Sequence, residues 1–149
     1  MANPAPRLDE ERPAHWYAAL IGLPATHHLT LVEKLRAGLP FKHLQKFAAS
    51  IDLPWALVCP LVGLSARTLE RRRRSGRLST AESDRLLTTT RVVAMALRLF
   101  GEQRDRARGW LLAPQRAFGG ATPLELAPTD LGAREVEALI GRLEHGVFA

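Results

Sequence analysis

Trp55-Ala-Leu-Val-Cys-Pro-Leu-Val-Gly63-Leu-Ser65-Ala-Arg67-Thr-Leu-Glu-Arg71 reads as a short apolar helix, a Gly-Leu-Ser turn and a second helix capped by Ser65. Two helices joined this way form a helix-turn-helix, whose second helix enters the major groove of DNA. Leu69 should face the core, leaving Arg67, Arg71 and Arg74 as a stripe at i, i+4 and i+7 that can grip guanine edges bidentately. Arg72, Arg73 and Arg77 point sideways, toward phosphates. Ser65 and Thr68, with the free N–H groups of the helix start, add a further phosphate contact. Pro60 is expected to kink or end the first helix early, because an interior proline loses a hydrogen bond and clashes with the preceding turn.

Between Ser65 and Arg77 six arginines stand against one acid, Glu70, in a chain of 149 residues with a net charge of +6. Charge gathered on one short stretch marks a polyanion site more than a solubility device. One recognition helix reads few bases, and such motifs commonly pair half-sites about one helical turn apart, so a homodimer on operator DNA is expected.

The remaining composition sets the class. Hydrophobic residues make up 46% and charged residues 24%, ordinary globular usage. Cys59 is the only cysteine, which excludes an internal disulfide and a cysteine-based zinc site. The aliphatic run over 92–97 is far short of the ~18 residues a membrane-spanning helix needs, so no membrane partner is expected. The first thirteen residues mix Arg7, Asp9, Glu10, Glu11 and Arg12 with prolines and carry no secretory pattern, which leaves a cytoplasmic address as the expectation.

Working outward from the arginine helix, turn signals cut the chain into segments of helical spacing, and the expected class is all-α. Residues 1–28 read as a tail, disordered over 1–13, and a short helix over 15–21. A helix-turn-helix unit follows over 29–79. Within it Thr30 is expected to cap a helix through Ala37, with Leu31, Leu35 and Val32 inward. Phe41, Leu44, Phe47, Ala48 and Ile51 then define an amphipathic helix with Lys42, His43 and Lys46 outside. The second unit, 80–149, opens with a capping box, Ser79 and Glu82, on a long helix over 80–100. A helix over 102–112 buries Ala107, Trp110 and Leu111. A proline- and glycine-rich stretch follows, with one helical turn at Pro123–Leu126 and a last helix over 133–143.

Signals for catalysis are weak. His27 and His28 are adjacent, too close to ligate one metal from a helix face, and His15, His43 and His145 are isolated. No phosphate-binding loop appears, and Gly119-Gly120 lacks the preceding strand of a dinucleotide site. No catalytic residue, metal or cofactor is expected. The chain closes on Glu144-His-Gly-Val-Phe-Ala149, an apolar end that packs either on its own domain or on a partner.

Ser65-Ala-Arg-Thr-Leu-Glu-Arg-Arg-Arg-Arg-Ser-Gly-Arg-Leu-Ser-Thr-Ala-Glu-Ser-Asp-Arg-Leu86 resembles the central block of the Xre/MbcA/ParS-like antitoxins. Phe118-Gly-Gly-Ala-Thr-Pro-Leu-Glu-Leu126, Gly132, Glu135-Val136 and Arg142-Leu-Glu-His-Gly-Val-Phe-Ala149 resemble their toxin-binding domain. The chain departs from that pattern at Gln115, where asparagine is usual, at Phe118, where leucine is usual, and at Pro60. The resemblance implies an N-terminal Xre/Cro-like helix-turn-helix followed by a small helical toxin-binding domain. It implies an antitoxin that neutralises a RES-domain toxin, one that consumes NAD⁺ or uses it for ADP-ribosylation, and that represses its own operon. The toxin would be held in a higher-order complex through Trp110, Phe118, Gly119, Gly120, Leu124, Glu144, His145, Gly146, Val147, Phe148 and Ala149. In that reading Val147-Phe148-Ala149 is a small apolar plug ending in a carboxylate, suited to a dinucleotide cleft with apolar walls and anion-binding groups. The rival from another class is a stand-alone regulator whose C-terminal domain dimerises or senses a ligand.

Overall fold

Ser79 sets the register of the molecule. Its hydroxyl accepts from the Glu82 N–H (3.1 Å) while the Glu82 carboxylate accepts from the Ser79 N–H (2.9 Å), the reciprocal box that starts the longest helix. In the computed structural model, which describes residues 14–24 and 27–146, this helix, α5, spans Thr80–Leu99. Before it come a 3₁₀ helix, Trp16–Ile21, and α1 (His28–Ala37), α2 (Phe41–Ser50), α3 (Trp55–Val62) and α4 (Ala66–Ser75). After it come α6 (Arg104–Leu111), a 3₁₀ turn (Arg116–Phe118), α7 (Pro123–Leu126) and α8 (Asp130–Glu144). Among the described residues there is no strand, only an isolated bridge between Pro40 and Arg77. The all-α reading therefore holds. No helix of the described residues is long and apolar enough to cross a membrane. The expectations for 1–13 and for Val147, Phe148 and Ala149 lie outside the described residues.

α5 is the axle. From Thr89 to Leu97 it is buried on nearly every side, packed by α1, α3 and the first 3₁₀ helix and also by α6, α7 and α8. Three threonines tolerate this position because each hydroxyl donates to the carbonyl four residues back: Thr88 to Asp84, Thr89 to Arg85 and Thr90 to Leu86. One hydrophobic cluster runs from Ile21 and Phe47 through Val58, Leu86 and Val93 to Leu111, Val136 and Ile140. Arg91 adds a polar tie, pairing with Glu137 of α8 and hydrogen-bonding Tyr17 of the 3₁₀ helix.

Five local expectations need correction. α1 starts at His28 and is capped by the His27 ring, which accepts from the Leu29 N–H at 3.3 Å, so Thr30 falls inside its first turn. Val32 points outward. α3 runs past Pro60 to Val62, because Ala56 and Pro60 both lie on its exposed face and the carbonyl that proline leaves unbonded meets water. α8 starts at Asp130: Thr129 accepts from the Gly132 N–H at 3.0 Å, a cap hidden in the sequence by the exposed Leu131 that follows it. His43, placed outside by its helical spacing, is 5% exposed. The first 3₁₀ helix packs on α2 and covers the ring, whose Nδ1–H donates to the Ile21 carbonyl at 2.6 Å.

Candidate nucleic-acid interface and partner surface

Only Leu69 of α4 is buried, too little apolar surface to fix a helix, and the arginines that were expected to point sideways supply the rest. Arg72 clasps Glu82 at the start of α5 through two parallel bonds, Nε to Oε1 at 2.8 Å and Nη2 to Oε2 at 3.1 Å. Burial alone would raise the Glu82 carboxyl's pKa. The Arg72 guanidinium and the Ser79 N–H outweigh it and hold the group below the usual carboxylate range. The same hydrogen bond raises Arg72 above its ordinary value. Arg73 lies over the rings of Phe41 (5.7 Å) and Trp55 (5.5 Å), which stack on each other with centroids 6.0 Å apart. Arg77 donates from Nη1 to the Gly38 carbonyl at 2.5 Å, beside the Pro40 bridge.

These contacts hold α4 against α2, α5 and the α1–α2 turn. They leave Arg67, Arg71 and Arg74 exposed, with no hydrogen bond or ion pair to any described residue. At the helix start the Ser65 hydroxyl accepts from the Thr68 N–H at 3.1 Å and contacts the Thr68 hydroxyl at 3.0 Å. The arginine cluster thus divides into three residues bound to the protein and three presented to solvent on one stripe. Composition showed the cluster; Glu82, Phe41 and Trp55, which divide it, lie 10 or more residues away in sequence from their arginine partners.

The C-terminal half forms a second surface. Gln115 closes its loop: its N–H donates to the Ala121 carbonyl (3.0 Å), its carbonyl accepts from Gly120 (3.0 Å), and its side-chain amide donates to the Ala113 carbonyl (3.2 Å). The turn needs Gly119 and Gly120, with φ of 64° and 95°, both exposed. Trp110 is half-buried against Phe100, and Phe118 half-buried against the core, while Leu124 is buried. Leu112, Leu124 and Pro128 meet Leu57, Pro60 and Leu61 of α3 across an apolar groove of about 360 Å³. Glu144, His145 and Gly146 are exposed at the end of α8. Gln115 thus ties Trp110 to the glycine turn beside Phe118, and the α8 end is exposed. The sequence reading gave no role to Arg142, one turn before that tip, whose buried Nε has no hydrogen-bond partner among the described residues. Only its place in the closing block of the chain could have marked it.

The comparisons with known proteins follow the same division. Residues 30–88 match the family model of the antitoxin Xre-like helix-turn-helix domain. Residues 95–146 match that of the antitoxin Xre/MbcA/ParS C-terminal toxin-binding domain. The chain is 37% identical to the Antitoxin Xre of Yersinia enterocolitica over 130 residues, 87% of this chain and 88% of that one. It is 31% identical to the Antitoxin Xre of Photorhabdus laumondii over 130 residues, again 87% and 88% of the two chains. It is also 23% identical to the Prs ADP-ribosylating antitoxin of a Sphingobium species over 146 residues, 92% of this chain and 90% of that one. With two domain models in order and such identity across most of its length, this chain belongs to the Xre antitoxin family.

Proposed function

We propose that this antitoxin neutralises a RES-domain toxin that draws on NAD⁺, by covering the toxin's active site with its C-terminal half, and that it represses its own operon as a homodimer bound through α4. As a member of an antitoxin family it acts by binding another macromolecule, and no catalysis is assigned to it. The observation that carries the reading is the union, on one core, of a toxin-binding-type half with a helix that presents three arginines without a partner among the described residues. The Sphingobium relative, named for Prs ADP-ribosylation, favours a toxin that transfers ADP-ribose from NAD⁺.

In this reading Arg67, Arg71 and Arg74 read base edges, while Ser65, Thr68 and the outer faces of Arg73 and Arg77 meet phosphates. Arg72, clasped by Glu82, orients the helix. Trp110, Phe118, Gly119, Gly120 and Leu124 support the toxin-facing surface. Glu144, His145, Gly146, Val147, Phe148 and Ala149 reach the toxin's cleft and exclude the dinucleotide.

The test co-purifies the full chain with the product of an adjacent toxin gene and measures inhibition of NAD⁺ consumption. Deleting residues 147–149 should leave the melting temperature unchanged and abolish inhibition, and NAD⁺ should compete with the intact antitoxin. Full inhibition by the truncated protein refutes the plug and moves the site to the Gly119 turn. Failure to bind any RES-domain protein returns the chain to the class of stand-alone regulators.

A further inference from the structure

The chain has three lysines, Lys34, Lys42 and Lys46, among many arginines, and the fold brings all three to one place. Lys34 comes from α1 and the other two from α2, and each is close enough to act on the His43 ring. Lys34, Lys42, His43 and Arg77 line a pocket of about 260 Å³ whose other walls include Leu23 and Leu39. Among the described residues no acidic side chain lines it. Among the described residues none of the three lysines has a hydrogen bond or an ion pair, whereas Arg77 is held in place by the Gly38 carbonyl. Gly38 is irreplaceable there: its φ is 85°, and a Cβ would overlap the Leu78 carbonyl oxygen.

Three cations around one concavity, Lys34, Lys42 and Arg77, repel one another, and that repulsion is relieved when an anion enters. Lysine ammonium groups suit a phosphoryl oxygen as compact point charges. The volume is below the ~300 Å³ at which drug-sized pockets begin, a space for one phosphoryl group and not for a nucleotide. We propose that this pocket is a binding site for a single phosphate-class anion, held by Lys34, Lys42 and Arg77.

His43 gives the site a proton linkage. A carbonyl can only accept, so the Ile21 contact places the neutral ring's proton on Nδ1, and Nε2 has no partner among the described residues. Burial, and then the charges of Lys42, Lys46 and Lys34, push the ring toward its neutral form against the opposing pull of the Ile21 carbonyl. The groups around it are those lysines from α1 and α2, Arg77 beyond α4 and the Ile21 carbonyl of the 3₁₀ helix, with no carboxylate among them. A bound anion reverses that balance and favours a proton on Nε2. The anion has two possible sources, free phosphate or a phosphodiester of DNA leaving the groove beside Arg77.

The test uses the full chain in buffers of equal ionic strength. Inorganic phosphate, against chloride, should raise the melting temperature saturably and move the His43 ring titration, followed by proton NMR and assigned with His43→Gln, to higher pH. The Lys34→Gln/Lys42→Gln double variant should melt no lower than the parent in chloride, since it removes that repulsion, and lose the phosphate response. In a parallel arm, the salt slope of duplex DNA binding should fall by about two in that variant if the phosphodiester is the source, and stay unchanged if the free anion is. Phosphate acting no better than chloride, together with an unchanged slope, overturns the site. The Arg77→Lys variant, which keeps the charge, guards against a misfolded double variant and should retain the response. The phosphate arm is independent of operator binding, so failure of the repressor reading leaves it standing.

Discussion

α4 and α8 are the two helices to which the proposed function gives partner surfaces, and they are fixed by opposite means. α4 buries one side chain, Leu69, and takes its orientation from polar fasteners: Glu82 on Arg72, the Phe41–Trp55 stack on Arg73 and the Gly38 carbonyl on Arg77. α8 buries Ala133, Val136, Leu139 and Ile140 as one stripe against α5 and meets α7 at Gly132, where a Cβ would overlap the Leu126 carbonyl. Polar fastening consumes some charges and leaves the others free in a defined direction, which suits the proposed aiming of guanidinium groups at base edges. Apolar docking leaves the helix tip as the part that can meet a partner. The difference teaches that, in a cluster of like residues, function is divided by the neighbours each one finds and not by its place in the run.

The strongest challenge to this contrast is the Arg67→Ala/Arg71→Ala double variant. Both side chains lack partners among the described residues, so stability should be unchanged. Operator preference should fall by about 1–3 kcal/mol for each bidentate arginine–guanine pair removed, read by titrating operator against scrambled duplex at fixed salt. Unchanged preference would show that α4 is not the reading helix. Next in size is Gly132→Ala. The obstacle is a backbone oxygen that cannot step aside, so a loss of about 2–3 kcal/mol is expected in thermal or urea unfolding, the usual range for an overpacked core. If the variant melts like the parent, α8 is not anchored at this corner.

How far the sequence discloses each surface follows from the same contrast. The α4 unit was legible because its signals are local: a cap, a glycine-ended turn and a block of charge within a few residues. The helix start carried by Ser79–Glu82 was equally readable, since a capping box acts over three residues. What escaped depends on distant packing. His43 sits at an outward position of α2 and is buried only because the Trp16–Ile21 helix folds over it. The groove between Leu57 and Leu124 joins segments more than sixty residues apart. Of the residues proposed to face the toxin, the glycine turn was visible as composition, but only the resemblance to a family gave it a role.

The smallest expected effect lies in the pH dependence of stability, where the two fastening modes separate into two windows. His43 is neutral in the fold, with its pKa pushed below the ordinary 6.5 chiefly by burial. Above that value the folded and unfolded rings are both neutral and contribute no slope. As pH falls below it the unfolded chain takes up the proton first, so stability declines until the folded ring titrates as well. Glu82 acts in a lower window. Its folded pKa is below the ordinary 4.5, so its contribution is complete above that value and is lost as pH falls through the folded one. Glu82→Gln keeps the capping box but lacks the charge, and should cost about 1–2 kcal/mol at neutral pH while flattening the curve below pH 4.5. His43→Gln should flatten only the stretch just below pH 6.5, because the amide can still donate to the Ile21 carbonyl. Urea midpoints measured from pH 7.5 to 3.5 in chloride separate the two. If Glu82→Gln flattened the upper window, or His43→Gln the lower, the assignment of α4 to a charged fastener and of α2 to a buried neutral ring would have to be exchanged.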